Sequence, residues 1–143
     1  MIVRQISVFL ENRQGTLAKA LSVLHDNGVN LRAMTVADTA DFGIMRIVVN
    51  EPEKVEKILQ AADYAVKITP VLALKVEDAP GELMNKVQEL ADGGISVEYV
   101  YAFATADPDG ARVVFKVDKL EQAYKILIGK NIVNSDDSNE NYW

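Results

Sequence analysis

The chain repeats itself once. Displacing the sequence by 66 residues lays Gly15 on Gly81, Leu17 on Leu83, Leu21 on Val87, Leu24 on Leu90, Gly28 on Gly94 and Val29 on Ile95. Regular self-similarity of this kind marks one supersecondary unit built more than once. The 143 residues therefore hold two short units rather than one larger fold. A unit of that size buries only a modest core by itself, so the two are expected to dock.

The period of the apolar residues orders the elements within the unit. Ile6, Val8 and Leu10 alternate with Gln5, Ser7 and Phe9, the pattern of a half-buried strand. After the break ENRQGT, Leu17, Leu21 and Leu24 recur at helical spacing, and Gly28 stands as a C-terminal stop. VNLRAMTVAD and IMRIVVN read as the strands of a hairpin, with Met45, Ile47 and Val49 on one face of the second. Pro52 suits a first helical turn, and Val55, Ile58, Leu59 and Ala62 form the stripe of a second helix. Tyr64, Val66 and Ile68 alternate as a strand, which Pro70 is expected to end because it lacks a ladder donor.

The unit so defined is βαββαβ, and it starts again. Leu72, Leu74 and Val76 form a strand, EDAPGE a turn, and Leu83, Val87 and Leu90 a helix. A hairpin with ARVVFKV as its second strand, a helix from Leu120 to Ile128 and a short strand NIVN complete the second copy. This order predicts an α+β fold of two tandem ferredoxin-like sandwiches, each an antiparallel sheet with its helices on one face. The expected boundaries are residues 1–70 and 71–135, with the polar stretch 136–143 as a flexible tail.

Composition narrows the function. A formal net charge of −6 and a pI near 4.8 oppose general attraction to nucleic acid or anionic membranes. The lack of cysteine removes disulfide and thiolate chemistry, and a single histidine, His25, argues against an all-protein zinc site. The N-terminal run MIVRQISVFL, interrupted by Arg4 and Gln5, is too short for a signal peptide or a membrane span. A cytoplasmic protein is expected, with neither nucleic acid nor membrane as partner. No serine–histidine–acid order, phosphate-binding glycine loop or metal-site spacing occurs, so the chain is not read as an enzyme and no cofactor is expected.

The most informative motif is the turn after each first strand, ENRQGTL at 11–17 and EDAPGEL at 77–83. Gly15 and Gly81 would let the backbone approach a ligand, and the first N–H groups of each helix suit a carboxylate. Asn12 could hydrogen-bond the same ligand and Asp78 could pair with its ammonium, which together would recognise the main-chain end of an amino acid. The plainer alternative is that Asn12 and Asp78 cap the helices while the glycines only shape the turn.

Strand, D/N-x-x-G-x-L, helix, G-[VI]-[NS]-[LIV] and a β-rich strand resemble the ACT-domain family in both copies, over nearly the whole chain. ENRQGTLAKALSVLHDNGVNLRAM is most similar to the acetolactate synthase small-subunit type, and EDAPGEL has the commoner D-x-P-G-x-L form. The resemblance implies regulatory binding of an amino acid or related metabolite between two modules, where the turn of one meets the second strand of its neighbour. On that pattern Asn12, Gly15, Thr16 and Leu17, with Asn30, Leu31 and Met34, form one half-site. Asp78, Gly81, Glu82 and Leu83, with Ser96, Val97 and Val100, form the other. Glu82 stands where the first copy has Thr16, and its charge would repel a bound carboxylate, which favours the first turn. Family members are commonly attached to the enzyme or DNA-binding domain they control. Two modules alone imply either a separate enzyme or regulator as partner or a carrier or sensor whose effector lies elsewhere, with a homodimer as the default assembly. The rival expectation is a structural or oligomerisation module with no small-molecule ligand.

Tyr99, Tyr101 and Phe103 share one strand face, with Val100 and Ala102 on the other, so both faces are expected to be covered. Packing between copies or subunits is the plain explanation, and stacking on a ligand the sharper one. His25 is expected to be a partly covered structural residue at the edge of its helix stripe. Asp38 and Asp41, like Asp107 and Asp109, read as turn residues rather than cation ligands.

Overall fold

A computed structural model describes residues 1–38, 42–104 and 110–129. The first copy contributes β1 (Ile2–Glu11), α1 (Thr16–Asp26), β2 (Ala33–Asp38), β3 (Phe42–Val48) and α2 (Pro52–Ala61). A long strand, β4 (Val66–Val76), follows. The second copy continues with α3 (Glu82–Asp92), β5 (Val97–Ala102), β6 (Ala111–Val117) and α4 (Leu120–Ile128). Each copy thus runs in the predicted order, and all strand pairs are antiparallel. The expected last strand NIVN and the tail lie outside the described residues.

One expectation is corrected. Pro70 does not end a strand: β4 passes through it, pairing with β1 over Val66–Leu72 and with β6 over Leu72–Val76. The reason is register. Met1 and Ala73 exchange both of their backbone hydrogen bonds, N to O, at 2.7 and 2.8 Å. Hydrogen-bonded and non-hydrogen-bonded pairs alternate along an antiparallel ladder, so Arg4 and Pro70, three rungs away, form a non-hydrogen-bonded pair. The nitrogen of Pro70 therefore faces away from β1, on the side where β6 pairs only from Leu72 onward. Proline removes a donor that the ladder does not use there. The copies consequently share a strand rather than a connector.

The shared strand makes one six-stranded sheet in the order β2-β3-β1-β4-β6-β5. Its two outermost strands then meet. Ala33 bridges Phe103, and the N–H of Ala104 donates to the carbonyl of Arg32 at 2.9 Å. The sheet curls into a barrel whose outer face carries the helices. Ile6, Val8, Leu10, Met45 and Ile47 pack under α1 and α2, and Leu72, Val76, Val113, Phe115 and Val117 pack with α3 and α4. A third cluster, including Val3, Ala33, Val48, Val71, Tyr101 and Val114, fills the inner face between the copies. Strand alternation sends Ile6 outward under the helices and Gln5 inward between the copies, so β1 is covered on both sides. The edge strand β5 departs from expectation: Tyr101 is buried on its inner face, but Val100 and Ala102 are exposed on the outer one because no helix reaches over them.

Candidate functional site

The two glycine turns are built alike. Gly15 and Gly81 are the N-cap residues of α1 and α3, with φ of 84° and 91° in the left-handed region where glycine alone is unstrained. Neither helix start carries a side-chain cap, so Asn12 and Asp78 do not play the capping part that the plainer reading gave them. Backbone bonds close each turn, from Thr16 N to Arg13 O at 3.3 Å and from Glu82 N to Ala79 O at 3.2 Å. The next helical bonds start at Lys19 and Asn85, which leaves the N–H groups of Leu17, Ala18, Leu83 and Met84 without backbone acceptors among the described residues. These four donors are the chemical capacity of the turns. The first turn has a further tie, because the Thr16 hydroxyl lies 2.7 Å from Glu11 O and 2.9 Å from Arg13 O. In the second, the Glu82 carboxylate instead accepts from Asn85 Nδ2 at 3.2 Å.

The remaining predicted positions lie apart from these turns within their own copy. Asn30, Leu31 and Met34 follow the C-terminus of α1, roughly 16 Å along the helix from Gly15. Asn30 lines a cavity of about 120 Å³ with Asn27, Asn50, Glu51 and Lys54, Leu31 packs against the first core, and Met34 is exposed on β2. In the second copy the Ser96 N–H donates to Asp118 Oδ1 at 2.9 Å, Val97 packs on the second core, and Val100 is exposed. The two turns sit past opposite ends of β1 and β4, which places them at opposite ends of the barrel. Among the described residues, neither turn is hydrogen-bonded to the other copy.

The meeting of the copies carries a polar network that the sequence reading did not single out. Gln5 is fully buried in the barrel. Its Nε2 donates to Tyr99 Oη at 2.8 Å and Ser7 Oγ at 3.2 Å, and Tyr101 donates its hydroxyl to Oε1 at 2.8 Å. Both amide hydrogens and the amide oxygen are thereby used. Tyr99 and Tyr101 stack with ring centroids 6.4 Å apart, and the Arg46 guanidinium lies 4.0 Å above the Tyr99 ring. Burial pushes the Tyr101 phenol well above its ordinary value; the neighbouring Tyr99 adds to the shift and Arg46 opposes it. Arg46 Nε is enclosed and, among the described residues, has no hydrogen-bond partner. An enclosed donor left so costs about 1–3 kcal/mol. The one available signal was Gln5, a polar residue on the strand face opposite Ile6 and Val8. The aromatic stripe on β5 accordingly packs between the copies inside one chain.

His25 departs from expectation. It is exposed on the last turn of α1, with Nδ1 3.1 Å from Asp26 Oδ1, because its neighbour Leu24 takes the core-facing position. Asp38 ends β2, whereas Asp41, Asp107 and Asp109 lie outside the described residues. Among the described residues, no helix is long and apolar enough to cross a membrane.

Comparison with known proteins matches this architecture. The family model described as an ACT domain pair matches residues 1–141. Protein BT0572 from Bacteroides thetaiotaomicron is 34% identical, with 92% of this chain and 90% of that chain covered, at a TM-score of 0.84. The ligand-free regulatory subunit of aspartate kinase from Thermus thermophilus is 14% identical, with 90% and 96% covered, at a TM-score of 0.61. The corresponding subunit from Thermus flavus is also 14% identical, with 88% and 92% covered, at 0.60. At that identity the aspartate kinase subunits share the fold. No curated protein matches the chain.

Proposed function

The chain belongs to the ACT domain pair family, and on that premise we propose that it is a regulatory module that binds a small metabolite, an amino acid or close relative, and modulates a separate enzyme or regulator. The observation that carries this reading is the pair of helix starts with left-handed glycines, no side-chain caps and outward N–H donors. Such a start suits a carboxylate, and Asn12, left free of capping, can bond the rest of the ligand's main chain. The regulatory subunits that share the fold belong to an enzyme of amino-acid metabolism, which favours the same ligand class.

The site lies between modules, as the resemblance implies. Because the turns and the second-strand residues of one chain lie apart, the facing module comes from a second chain in a homodimer. The turn of Asn12, Gly15, Thr16 and Leu17 then meets one partner surface, and that of Asp78, Gly81, Glu82 and Leu83 another. The first turn is the working one. The Thr16 hydroxyl pins the backbone there, while Glu82 sets a negative charge beside the second set of donors. A division near residue 70 separates the modules in function even though β4 is shared, and the protein acts in the cytoplasm.

Isothermal titration and thermal denaturation against the amino acids and their keto acids test the reading. Ligand at 100 times its Kd should stabilise the fold by about 2.7 kcal/mol. Gly15→Val should abolish that gain and Gly81→Val should leave it. A chain that no amino or keto acid stabilises at millimolar concentration is not such a sensor.

A further inference from the structure

We propose a second site, independent of the glycine turns: an anion site in the mouth of the barrel at Arg46, fitted to a small organic carboxylate with a short apolar body. Thr35 pairs with Arg46 across β2 and β3, Arg46 with Ser7 across β3 and β1, and Ser7 with Lys67 across β1 and β4. The four form one row on the inner face, with side chains at cross-strand neighbour distance. Two are cations and two carry hydroxyls.

The hydrogen bonds give this row a direction. Gln5 spends its two amide hydrogens on Ser7 Oγ and Tyr99 Oη, so both hydroxyls are acceptors toward Gln5 and keep their own protons to donate. Arg46 has donors only, its Nε is enclosed without a partner among the described residues, and no carboxylate among them lies within ion-pair reach of it. Glu98, beside Tyr99, is engaged with Lys116 at 3.1 Å. A cluster of donors around a partly buried cation is complementary to an acceptor-only anion. The next inner row toward the mouth is apolar: Phe9 pairs with Ile44, and Phe9 is partly open to solvent. That row suits a hydrocarbon body attached to the anion and disfavours a fully hydrated phosphate.

The fold does not require this polarity. The same ladder positions in the second copy are Tyr101, Val114 and Ala73, where Thr35, Arg46 and Ser7 stand in the first, and they belong to the buried apolar cluster between the copies. The first copy therefore carries a cation and two hydroxyls where the second has valine, alanine and a tyrosine whose hydroxyl is already bonded to Gln5.

The test titrates the full-length protein at constant ionic strength with isobutyrate, acetate and inorganic phosphate, and follows the Arg46 Nε–H resonance together with calorimetric heat. Isobutyrate should move that resonance saturably and bind at least five-fold more tightly than acetate or phosphate. Arg46→Met should weaken it ten-fold or more without lowering the melting midpoint. Arg46→Lys, which keeps the charge and loses the forked donors, should lie between. In Gly15→Val the Arg46 resonance should still move with isobutyrate, whatever heat the first turn itself contributes, which separates this site from the amino-acid turn. An unmoved Arg46 resonance, binding undiminished in both Arg46 variants, or tighter binding of phosphate than of isobutyrate would each overturn the assignment.

Discussion

The two copies share a backbone and differ in what their side chains do with it. Their turns superpose in kind, with φ of 84° at Gly15 and 91° at Gly81. Yet Leu17 and Leu21 of α1 pack against the first core, whereas their counterparts Leu83 and Val87 on α3 are 43% and 36% exposed. On the inner face the relation inverts, since Gln5, Ser7 and Arg46 of the first copy stand where the second has the apolar Val71, Ala73 and Val114. A repeat conserves the pattern that defines elements. Which faces are covered depends on how the copies meet, and that frees each copy to diverge at its own surfaces.

The sharpest way to break this comparison is at Gln5, which occupies the place of Val71 in the other copy. Gln5→Ala leaves the hydroxyls of Tyr99 and Tyr101 without their shared partner and opens a void, at a cost of about 3 kcal/mol or more. The midpoint of urea denaturation measures it. A loss under about 1 kcal/mol would mean that the network does not hold the copies together.

The helices come next in size. Leu17→Ala should destabilise by about 2 kcal/mol because its side chain packs on the core, and Leu83→Ala by under about 0.5 kcal/mol because its side chain is exposed. Equal losses in paired denaturation curves would show that α3 is covered in solution as α1 is.

Much of this was legible beforehand, and the failures have a common origin. Periodicity found the helices and strands now described, except that β4 was expected as two strands divided at Pro70, and the stripe Met45, Ile47 and Val49 lies in the core as expected. Those signals are local. Pro70 misled because a proline is neutral at a non-hydrogen-bonded rung, and the rung's type is set by the partner strand. His25 misled because one helical position decides between core and solvent. The turns at Gly15 and Gly81 were readable from the need for left-handed glycine, but whether they face a ligand depends on a neighbouring module. Of the Gln5 network only the polar Gln5 itself gave a signal, since the two tyrosines it binds are 94 and 96 residues away in sequence.

The glycine turns should respond alike in stability and differently in binding. No atom lies within 4 Å of a Cβ added at Gly15 or Gly81, so valine at either meets only backbone strain. Each substitution should cost about 1–2 kcal/mol, read from thermal or urea midpoints. If Gly15→Val costs several times more than Gly81→Val, the Thr16 tie makes the first turn stiffer than its twin.

The last effect is a change of pH slope in alkaline solution, and it belongs to the second copy alone. Tyr101 stands where the first copy has Thr35, which does not titrate. Burial raises the Tyr101 phenol in the folded state, so its neutral form donates to Gln5 while the unfolded chain ionises from about pH 10. The sign follows: this residue's contribution is intact below that pH, and it is lost as pH rises because the unfolded state binds fewer protons. Tyr101→Phe should lower stability by about 1 kcal/mol at neutral pH through the lost hydrogen bond, yet fall less steeply above pH 10. Lysine titration is common to parent and variant and cancels in the difference. Parallel stability curves for the two proteins between pH 9 and 11 would show that the Tyr101 phenol reaches water, and that the barrel is open where the two copies meet.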